Sequence, residues 1–313
     1  MTETVQAMRD YGRVAVIMGG RSAERDISLL SGAAVLQALQ RAGVQAFGID
    51  ADRNLLQRLR DGGAECAFIM LHGRDGEDGK LQGALDWLGM PYTGSGVLAS
   101  ALAMDKIRTK LLWQQLHLAT PDFVQLQPDS DFAAVIDKLG PCFVKPVREG
   151  SSLGIGGAET AAELENAFHK ACKYDNEVLA ECWIKGNEYT VAILGDEVLP
   201  VVEMATSNAF YDYEAKYLSA TTEYRCPATL DADTTHALQN LALAAYRAVG
   251  CRGWGRVDVL RDGTGRFWLL EVNTVPGMTD HSLVPMAAKE AGYSIEALVL
   301  RILDQSLTEV SDA

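Results

Sequence analysis

Short apolar runs alternate with amphipathic stretches along the first hundred residues of the chain. The run RVAVIMGG, which begins at Arg13, predicts a buried strand that ends at paired glycines. The next stretch, ISLLSGAAVLQALQRAG, has helical spacing and is predicted to stop at Gly43, while VQAFGID and ECAFIMLHG predict two further strands. Strands and helices that alternate in this way are typical of an α/β unit built on a parallel sheet.

The pattern changes after Met104. The stretch MDKIRTKLLWQQLHLATPDF has the spacing of one amphipathic helix, closed by Thr120 and Pro121. Beyond it, GPCFVKPVREGSSLGIGG predicts a strand and a small-residue loop, LENAFHKACKY predicts a helix, and EVLAECWI, YTVAILG and EVLPVVEM predict strands. The stretch SNAFYDYEAKYLSATTEYRCP has little periodicity and predicts a long ordered loop.

The last part of the chain contains a helix, THALQNLALAAYRAVG, then the apolar runs WGRVDVL and FWLLEVN, and a closing helix, SIEALVLRILDQSL. The two apolar runs are joined by RDGTGR, which is rich in turn-forming residues and predicts a hairpin. Boundaries near residues 104 and 187 divide the chain into three predicted domains: 1–104, 105–186 and 187–313.

Polar side chains interrupt the two strands of this hairpin. Glu271 and Asn273 are two residues apart and therefore project from the same face of their strand. If the chain turns at residues 264–265, Asp258 falls opposite Glu271, and three oxygen donors converge. Two buried carboxylates repel each other unless a cation lies between them, and oxygen-only ligands suit Mg²⁺ or Mn²⁺. The pattern favours a metal–phosphate site, with solvent-facing carboxylates on an edge strand as the alternative.

A lysine and a glycine-rich loop follow the apolar strand CFVKP. Lys145 ends the strand, and Ser151, Ser152 and four glycines between residues 150 and 157 can turn hydroxyl and amide groups toward an anion. The loop lacks the spacing of a Walker or dinucleotide motif, so a flexible hairpin is the alternative. The adjacent lysine favours anion binding, because a buried cation requires an anionic partner.

Composition and charge limit the classes of function. The chain has 313 residues, 48% of them hydrophobic and 22% charged, which is typical of a soluble globular protein of two or three domains. Forty-two acidic and 28 basic residues give a net charge of −14, so we expect neither nucleic acid nor membrane as a partner. With no signal-peptide pattern at the N-terminus and no C-x-x-C pair among six cysteines, we expect a cytoplasmic protein with reduced thiols.

Several segments, taken in chain order, resemble the D-alanine–D-alanine ligase family of the ATP-grasp superfamily. The segments are AERDISLLSG, HGRDGEDGKLQG, MDKIRTK, VKPVREGSSLGI, ECWIKGNEYTVAIL, YDYEAKY, GWGRVDVL and EVNTVPGMTDHSLVP. The resemblance implies an α/β fold, α+β in the ATP-binding part, with the three-domain ATP-grasp architecture. Residues 1–104 would form a Rossmann-like parallel-sheet domain, 105–186 the central ATP-binding domain, and 187–313 a domain with a lid loop and the metal site.

The resemblance also implies an activity: ATP-dependent joining of two D-alanines, through an acyl phosphate, for peptidoglycan precursor synthesis. ATP would bind with two Mg²⁺ or Mn²⁺ ions between the central and C-terminal domains, with Lys106, Lys145 and Lys216 near its phosphates. Glu181 would line the adenine pocket and Glu188 would hold the ribose. The implied nucleotide residues are Lys106, Lys145, Ser152, Glu181, Trp183, Ile184 and Glu188, and the implied metal ligands are Asp258, Glu271 and Asn273.

The implied catalytic residues surround the two amino acids. Tyr217, in the lid segment, would meet Ser151 and Glu24 and so position the amine of the first D-alanine near Glu24. Arg256 would stabilise the tetrahedral oxyanion, and Ser282 would receive the carboxylate of the second D-alanine. The full implied set is Glu24, His72, Ser151, Lys216, Tyr217, Arg256 and Ser282.

Simpler roles and other functions are alternatives at this stage. Glu24 could cap a helix, Tyr217 could be ordinary packing, and Arg256 could pair structurally with Asp258 or Glu271. The chain could be another ATP-grasp ligase with a different amino or hydroxy acid, or a non-catalytic nucleotide-binding regulator. A dinucleotide oxidoreductase is disfavoured because MGGRSAE lacks the third glycine of that motif. The resemblance further implies a homodimer.

Overall fold

A computed structural model describes most of the chain. It covers residues 10–151, 153–205 and 223–308. Three predicted site residues lie outside the described residues: Ser152, Lys216 and Tyr217. Most of the stretch predicted as an ordered loop also lies outside them, but its last part is a strand rather than a loop, because Glu223–Arg225 pairs with a neighbouring strand.

The N-terminal part of the chain forms a small parallel sheet. Its strands are Val14–Met18 (β1), Ala46–Asp50 (β2) and Cys66–Ile69 (β3), in the order β2-β1-β3. β1 and β3 are buried along their whole length, as expected for parallel strands covered on both faces. The carboxyl ends of parallel strands meet at one edge, so the segments after β1 and β3, which carry Glu24 and His72, leave the sheet side by side.

Two antiparallel sheets follow in the chain. The four-stranded sheet, in the order β4-β7-β5-β6, consists of Phe123–Leu126 (β4), Cys142–Pro146 (β5), Gly156–Ala158 (β6) and Val178–Cys182 (β7). The six-stranded sheet, in the order β11-β10-β8-β12-β13 with β9 beside β8, consists of Gly186–Leu194 (β8), Glu197–Val198 (β9), Val202–Ala205 (β10), Glu223–Arg225 (β11), Trp254–Asp262 (β12) and Phe267–Asn273 (β13).

Helices cover the three sheets. In chain order they are Arg25–Arg41 (α1), Leu55–Asp61 (α2), Lys80–Trp87 (α3), Val97–Met104 (α4), Lys106–Gln115 (α5), Phe132–Leu139 (α6), Ala161–Ala171 (α7), Ala232–Ala248 (α8), Leu283–Glu290 (α9) and Ile295–Thr308 (α10). α9 and α10 return to the N-terminal sheet, where Leu283, Val299 and Ile302 join one apolar core with the first three strands. In the part of the chain that the structure describes, no helix is both long and apolar enough to cross a membrane.

The single helix predicted from Met104 onward is wrong in both its start and its end. Asp105 has an extended backbone, and its carboxylate accepts a hydrogen bond from the amide of Arg108 at 3.0 Å, so it ends α4 and caps a new helix at Lys106. That helix stops at Gln115, shortly before His117, whose φ of 59° is left-handed. Residues 117–122 are therefore not helical, and Thr120 lies against β13.

The predicted fold class is confirmed: a parallel N-terminal sheet is joined to antiparallel sheets with helices around them. The three sheets occupy residues 14–69, 123–182 and 186–273. The domain boundaries at 104 and 187 stay a prediction.

Candidate active site

The hairpin of β12 and β13 supplies the polar floor of the site. The predicted pairing of Asp258 with Glu271 is confirmed, and Arg256 pairs with Asn273 on the same face. The turn is one residue longer than the predicted two-residue turn, and Gly265 in it has a left-handed φ of 89°. An irregularity in the strand pairing after Asp258 then restores the predicted register, in which Asp258 is opposite Glu271. The predicted partners were therefore correct, although the turn that produces them differs.

These side chains face a cleft of about 820 Å³ between the hairpin, the N-terminal sheet and the loop after β5. Each of these elements supplies residues to the cleft wall. The polar lining includes Glu24, His72, Glu77, Ser151, Arg256, Asp258, Glu271, Asn273 and Ser282. Eight of the predicted catalytic and metal-binding residues are thus brought together with Glu77 around one space.

Asp258 is buried, and both of its carboxylate oxygens accept hydrogen bonds. It is 3% exposed, and Arg256 donates to its two carboxylate oxygens at 2.8 Å each. Asn273 Nδ2 donates to Oδ2 at 3.0 Å, and Thr190 Oγ1 donates to Oδ1 at 2.5 Å. The ion pair between Arg256 and Asp258, considered above as a simpler role for the arginine, is therefore present, while Arg256 also lines the cleft.

Glu271 has a different cation. Lys106 Nζ lies 3.3 Å from Glu271 Oε2 and donates to the carbonyl oxygen of Glu149 at 2.7 Å. The two opposed carboxylates are thus each balanced by a separate basic side chain, one from β12 and one from α5. A buried carboxylate without such a partner is unfavourable.

The donor set on the hairpin fits a hard divalent cation. Within the described ranges no three His, Cys, Asp or Glu side chains gather as a metal cluster, and the hairpin presents two carboxylates and one carboxamide. A metal such as Mg²⁺ commonly takes only one or two carboxylates from the protein and completes its shell with water and substrate phosphate. Asp258, Glu271 and Asn273 would supply such ligands.

Glu24 stands at the start of α1 but does not cap it. Its side chain makes no capping hydrogen bond, and instead accepts one from Ser151 Oγ across the cleft. Ser151 has a left-handed φ of 51°, an unfavourable conformation for a residue other than glycine, of the kind found at functional sites. The next residue back is a glycine for a steric reason, since a Cβ on Gly150 would lie 2.8 Å from Glu24 Oε2.

His72 and Glu77 bind the backbone on the two sides of Val275. His72 Nδ1 lies 2.8 Å from the carbonyl oxygen of Val275, so Nδ1 carries the proton and donates. Glu77 accepts from the amide of Val275 at 3.1 Å and from that of Gly73 at 2.7 Å. These contacts attach the N-terminal sheet to the loop that begins at Thr274 and carries Gly277.

Burial changes the titration of both side chains. It lowers the pKa of His72 from 6.5 to about 4, so the imidazole is neutral near pH 7. Its Nε2 is buried and has no hydrogen-bond partner among the described residues, which leaves an acceptor beside the cleft. Burial, together with repulsion from Glu24, raises the pKa of Glu77 to about 8.

Ser282 lines the same cleft. It precedes α9, but its hydroxyl does not cap that helix and instead accepts from the amide of Thr279 at 3.0 Å. Leu283, the first residue of α9, lines the cleft beside it. A Cβ on Gly277 would lie 2.9 Å from Ser282 Oγ, so this glycine allows the loop to pass close to the serine.

The described residues predicted to bind nucleotide do not line this cleft: Lys106 is on α5, Lys145, Glu181 and Glu188 are on the antiparallel sheets, and Trp183 and Ile184 follow β7. Lys145 is the penultimate residue of β5, and its Nζ donates to Glu181 Oε1 at 2.6 Å. Trp183 follows β7, with its ring 4.7 Å from that of Phe143, and Ile184 comes next in the chain. Glu188 is on β8, opposite Met204 on one side and Leu260 on the other.

Two ionisable residues of the site were missed by the sequence reasoning. Glu77 lies within HGRDGEDGKLQG, where its two neighbouring acids gave no reason to single it out. Lys110 is 1% exposed and contacts Glu181, and its spacing of four residues from Lys106 on a helix could have indicated a shared face.

This fold and this charged cleft define an enzyme of the α/β class. The chain belongs to the D-alanine–D-alanine ligase family: the family model "D-ala D-ala ligase C-terminus" matches residues 112–304, and "D-ala D-ala ligase N-terminus" matches residues 53–95. The resemblance found in the sequence, and with it the ligase class, is confirmed.

Curated relatives and solved structures agree with this membership. The chain is 58% identical over 300 residues to the D-alanine–D-alanine ligase of Stutzerimonas stutzeri, covering 96% of each chain, and 55% identical over 305 residues to that of Chromohalobacter salexigens, covering 97% of each. The crystal structure of the D-alanine–D-alanine ligase from Bacillus anthracis matches with a TM-score of 0.86 and 34% identity, over 96% of this chain and 99% of that one. Its complex with ATP matches with a TM-score of 0.85 and 32% identity, over the same shares of the two chains.

Proposed function

We propose that this chain uses ATP to join two D-alanines into D-alanyl-D-alanine, through an acyl phosphate, and releases ADP and phosphate. The product would serve peptidoglycan precursor synthesis in the cytoplasm. The observation that carries the proposal is one cleft in which Glu24 and Ser151 face Arg256, Asp258 and Glu271. Glu24 would receive an amine, and Arg256 together with metal ions held by Asp258 and Glu271 would receive a phosphorylated carboxylate.

The first step joins two anions, because the carboxylate of one D-alanine attacks the γ-phosphate of ATP. The resemblance assigns Lys106 and Lys145 to the phosphates, and in the structure both are held by carboxylates, Glu271 and Glu181. Two Mg²⁺ or Mn²⁺ ions bound by Asp258, Glu271 and Asn273 would neutralise phosphate charge. We also assign Lys216 to the γ-phosphate from the resemblance.

The first D-alanine would place its ammonium group near Glu24. The carboxylate of Glu24 is held by Ser151 at the edge of the cleft, which fixes its direction. We assign Tyr217 to the same pair, where it would close the site over the acyl phosphate and keep water from it. His72, neutral near pH 7, would lie beside this substrate and hold the Val275 peptide.

The second D-alanine would supply the amine that displaces phosphate from the acyl phosphate. Arg256 and the amide of Gly277 both lie on the cleft wall and would stabilise the tetrahedral oxyanion. Ser282 and Leu283 would contact the carboxylate and the methyl group of this substrate. Holding three reactants together removes association entropy, which can contribute roughly 7–11 kcal/mol.

The nucleotide base would lie against the end of β7. Trp183 and Ile184 would contact the adenine, and Glu181 would line the same pocket. Glu188, on β8, would hold the ribose hydroxyls, and Ser152 would contact the phosphates. These assignments follow the resemblance and the placement of the residues at the end of β7 and on β8, which are consecutive strands along the chain.

We further propose a homodimer. The surface near the N-terminal sheet exposes Trp87 by 91% and Leu98 by 72%, which is unusual for large apolar side chains in water.

We also propose that the chain divides into three domains at residues 104 and 187.

A substrate panel tests the reaction. Phosphate release from ATP and Mg²⁺ is measured with D-alanine, with L-alanine, and with D-alanine plus D-lactate. We expect release with D-alanine, little with L-alanine, and dipeptide rather than the D-lactate ester in the mixture. Release that requires another acid would indicate a different ligase of this fold, and ATP binding without any turnover would indicate a regulator.

A further inference from the structure

Lys110, on α5, is a lysine with almost no contact with solvent. Its side chain is 1% exposed, its Nζ contacts the carboxylate of Glu181, and it donates to Thr120 Oγ1 at 2.6 Å. Burial lowers the pKa of Lys110, and the charge of Glu181 offsets part of that effect. A lysine is seldom fully buried without a charged partner, so this position is built around the Glu181 carboxylate.

Glu181 is shared by two lysines of unequal exposure. Lys145 Nζ donates to Oε1 at 2.6 Å, and Lys110 contacts Oε2. The side chain of Lys145 is 14% exposed and that of Lys110 is 1% exposed, so only Lys145 borders an opening. Burial alone would raise the pKa of Glu181, but the two lysines lower it below its ordinary value, which keeps the carboxylate ionised.

The same helix carries a second lysine with a carboxylate partner. Lys106 is one turn before Lys110, its side chain is 11% exposed, and it contacts Glu271. The proposed function assigns Lys106 and Lys145 to the phosphates of ATP, so each must turn away from its carboxylate when ATP binds. Glu271 would then face a metal ion. Glu181 would retain Lys110 alone.

We propose that Lys110 is a positioning residue that acts through Glu181: it is the permanent counter-charge that allows Lys145 to transfer to a nucleotide phosphate. This inference rests on the proposed function. With Lys110 present, the group of two lysines and one glutamate carries a net charge of +1 toward a polyphosphate. Without Lys110 the pair is neutral, and moving Lys145 to phosphate would leave a buried carboxylate uncompensated.

Lys110 is held in place independently of Lys145. Thr120, which accepts from Lys110, donates its own hydroxyl proton to the carbonyl oxygen of Leu269 at 2.8 Å. The amide of Leu269 donates to the carbonyl oxygen of Ala119 at 2.8 Å. The ammonium group of Lys110 is thus held between Glu181 on β7 and, through Thr120, Leu269 on β13. Its position does not depend on where Lys145 lies.

The first test compares Lys110→Met with Lys138→Met, which makes the same chemical change at an exposed lysine of α6. ATP binding to the full chain is measured by calorimetry with Mg²⁺, together with KM for ATP, KM for D-alanine and kcat. Lys110→Met is expected to weaken ATP binding roughly 10-fold or more, as for loss of a charged hydrogen bond, with KM for D-alanine unchanged. Lys138→Met is expected to match the wild type. Unchanged ATP affinity in Lys110→Met would overturn the proposal.

A second variant covers the case in which Lys110→Met folds poorly. Lys110→Met with Glu181→Gln removes both buried charges and leaves Lys145 free for phosphate. Binding of inorganic tripolyphosphate, which has no adenine to contact Glu181, is expected to be weak in the single variant and restored in the double variant. A double variant as weak as the single one would contradict the role of Lys110.

Failure of the proposed function is distinguishable from failure of this inference. If the wild type binds neither ATP nor tripolyphosphate, the nucleotide function and the role of Lys110 are overturned together. If the wild type binds both and Lys110→Met binds them equally well, only the role of Lys110 is overturned.

Discussion

Asp258 and Glu271 lie directly opposite each other on adjacent antiparallel strands, yet each is paired with a different cation, Arg256 in one case and Lys106 in the other. Arg256 comes from the same strand as its partner, whereas Lys106 comes from helix α5. Glu271 is therefore the carboxylate whose counter-charge can move, and Asp258 is the one whose partner is fixed by a bidentate contact.

Substitution of Glu271 tests the metal–phosphate assignment. Glu271→Ala removes one of the two carboxylates on the hairpin face and is expected to lower Mg²⁺-dependent phosphate release by roughly 100-fold or more, since a bound metal contributes several kcal/mol to phosphoryl transfer. The measurement is turnover across a Mg²⁺ titration. Glu165→Ala, at an exposed glutamate of α7, is the control. Near-normal turnover in Glu271→Ala would remove this residue from the metal site.

Substitution of Arg256 separates oxyanion stabilisation from a structural ion pair. Arg256→Ala is expected to lower kcat by on the order of 100-fold if the guanidinium stabilises the tetrahedral oxyanion. It also leaves the buried carboxylate of Asp258 without its counter-charge, which can cost roughly 3–5 kcal/mol of stability.

Adding Asp258→Asn to Arg256→Ala distinguishes these effects by urea unfolding. The double variant is expected to regain much of the lost stability, because the buried charge is gone. Comparing the kcat of the double variant with that of Asp258→Asn alone isolates the effect of removing the arginine. Equal kcat in these two variants would assign Arg256 a purely structural role.

A single methyl group beside Glu24 tests the site of the first amine. In Gly150→Ala the new Cβ would lie 2.8 Å from Glu24 Oε2, and the flexible end of that side chain would turn away at little cost in stability. We expect KM for D-alanine to rise roughly 10-fold, as for one lost charged hydrogen bond, with ATP affinity unchanged. Gly83→Ala, whose Cβ would meet Val97 only at 3.7 Å, is the control. Wild-type kinetics in Gly150→Ala would contradict the assignment.

The buried imidazole of His72 predicts a pH dependence of stability. Its pKa is lowered from 6.5 to about 4, so the folded state resists protonation where the unfolded state accepts it. Its contribution to the free energy of unfolding is complete above pH 6.5 and is lost as the pH falls toward 4. Glu77, with its pKa raised to about 8, acts in the opposite direction: its contribution is complete below pH 4.5 and is lost as the pH rises through 8.

Comparison with His72→Asn isolates the histidine, because Asn keeps a donor for the Val275 carbonyl but does not titrate. Urea unfolding at several values between pH 4.5 and pH 7.5 is expected to give a difference between wild type and variant that narrows as the pH falls. Parallel stability curves would contradict the lowered pKa.

The pairing within the hairpin could be predicted because strand side chains alternate with a fixed period of two, and the turn residues limit the register. Even there, a longer turn and a strand irregularity compensate for each other, which periodicity alone does not reveal. The change of pattern near Met104 placed the start of α5 only approximately, because the capping contact to Arg108 decides where the helix begins.

Lys110 and Glu77 could not be found from local pattern. A lysine on a helix is ordinarily a surface residue, and the burial of Lys110 depends on Glu181, far along the chain on β7. Glu77 lies in a glycine-rich loop without periodicity, and its raised pKa comes from burial and from Glu24 on another segment. Both are properties of the assembled cleft rather than of any short stretch.

The central claim is tested most directly by counting products. The full chain is incubated with D-alanine, ATP and Mg²⁺, and D-alanyl-D-alanine is quantified by mass spectrometry beside ADP and phosphate. The account predicts one dipeptide for each ADP and each phosphate, with no ADP formed when D-alanine is omitted. ADP and phosphate without dipeptide, or ADP formation that does not depend on D-alanine, would contradict it.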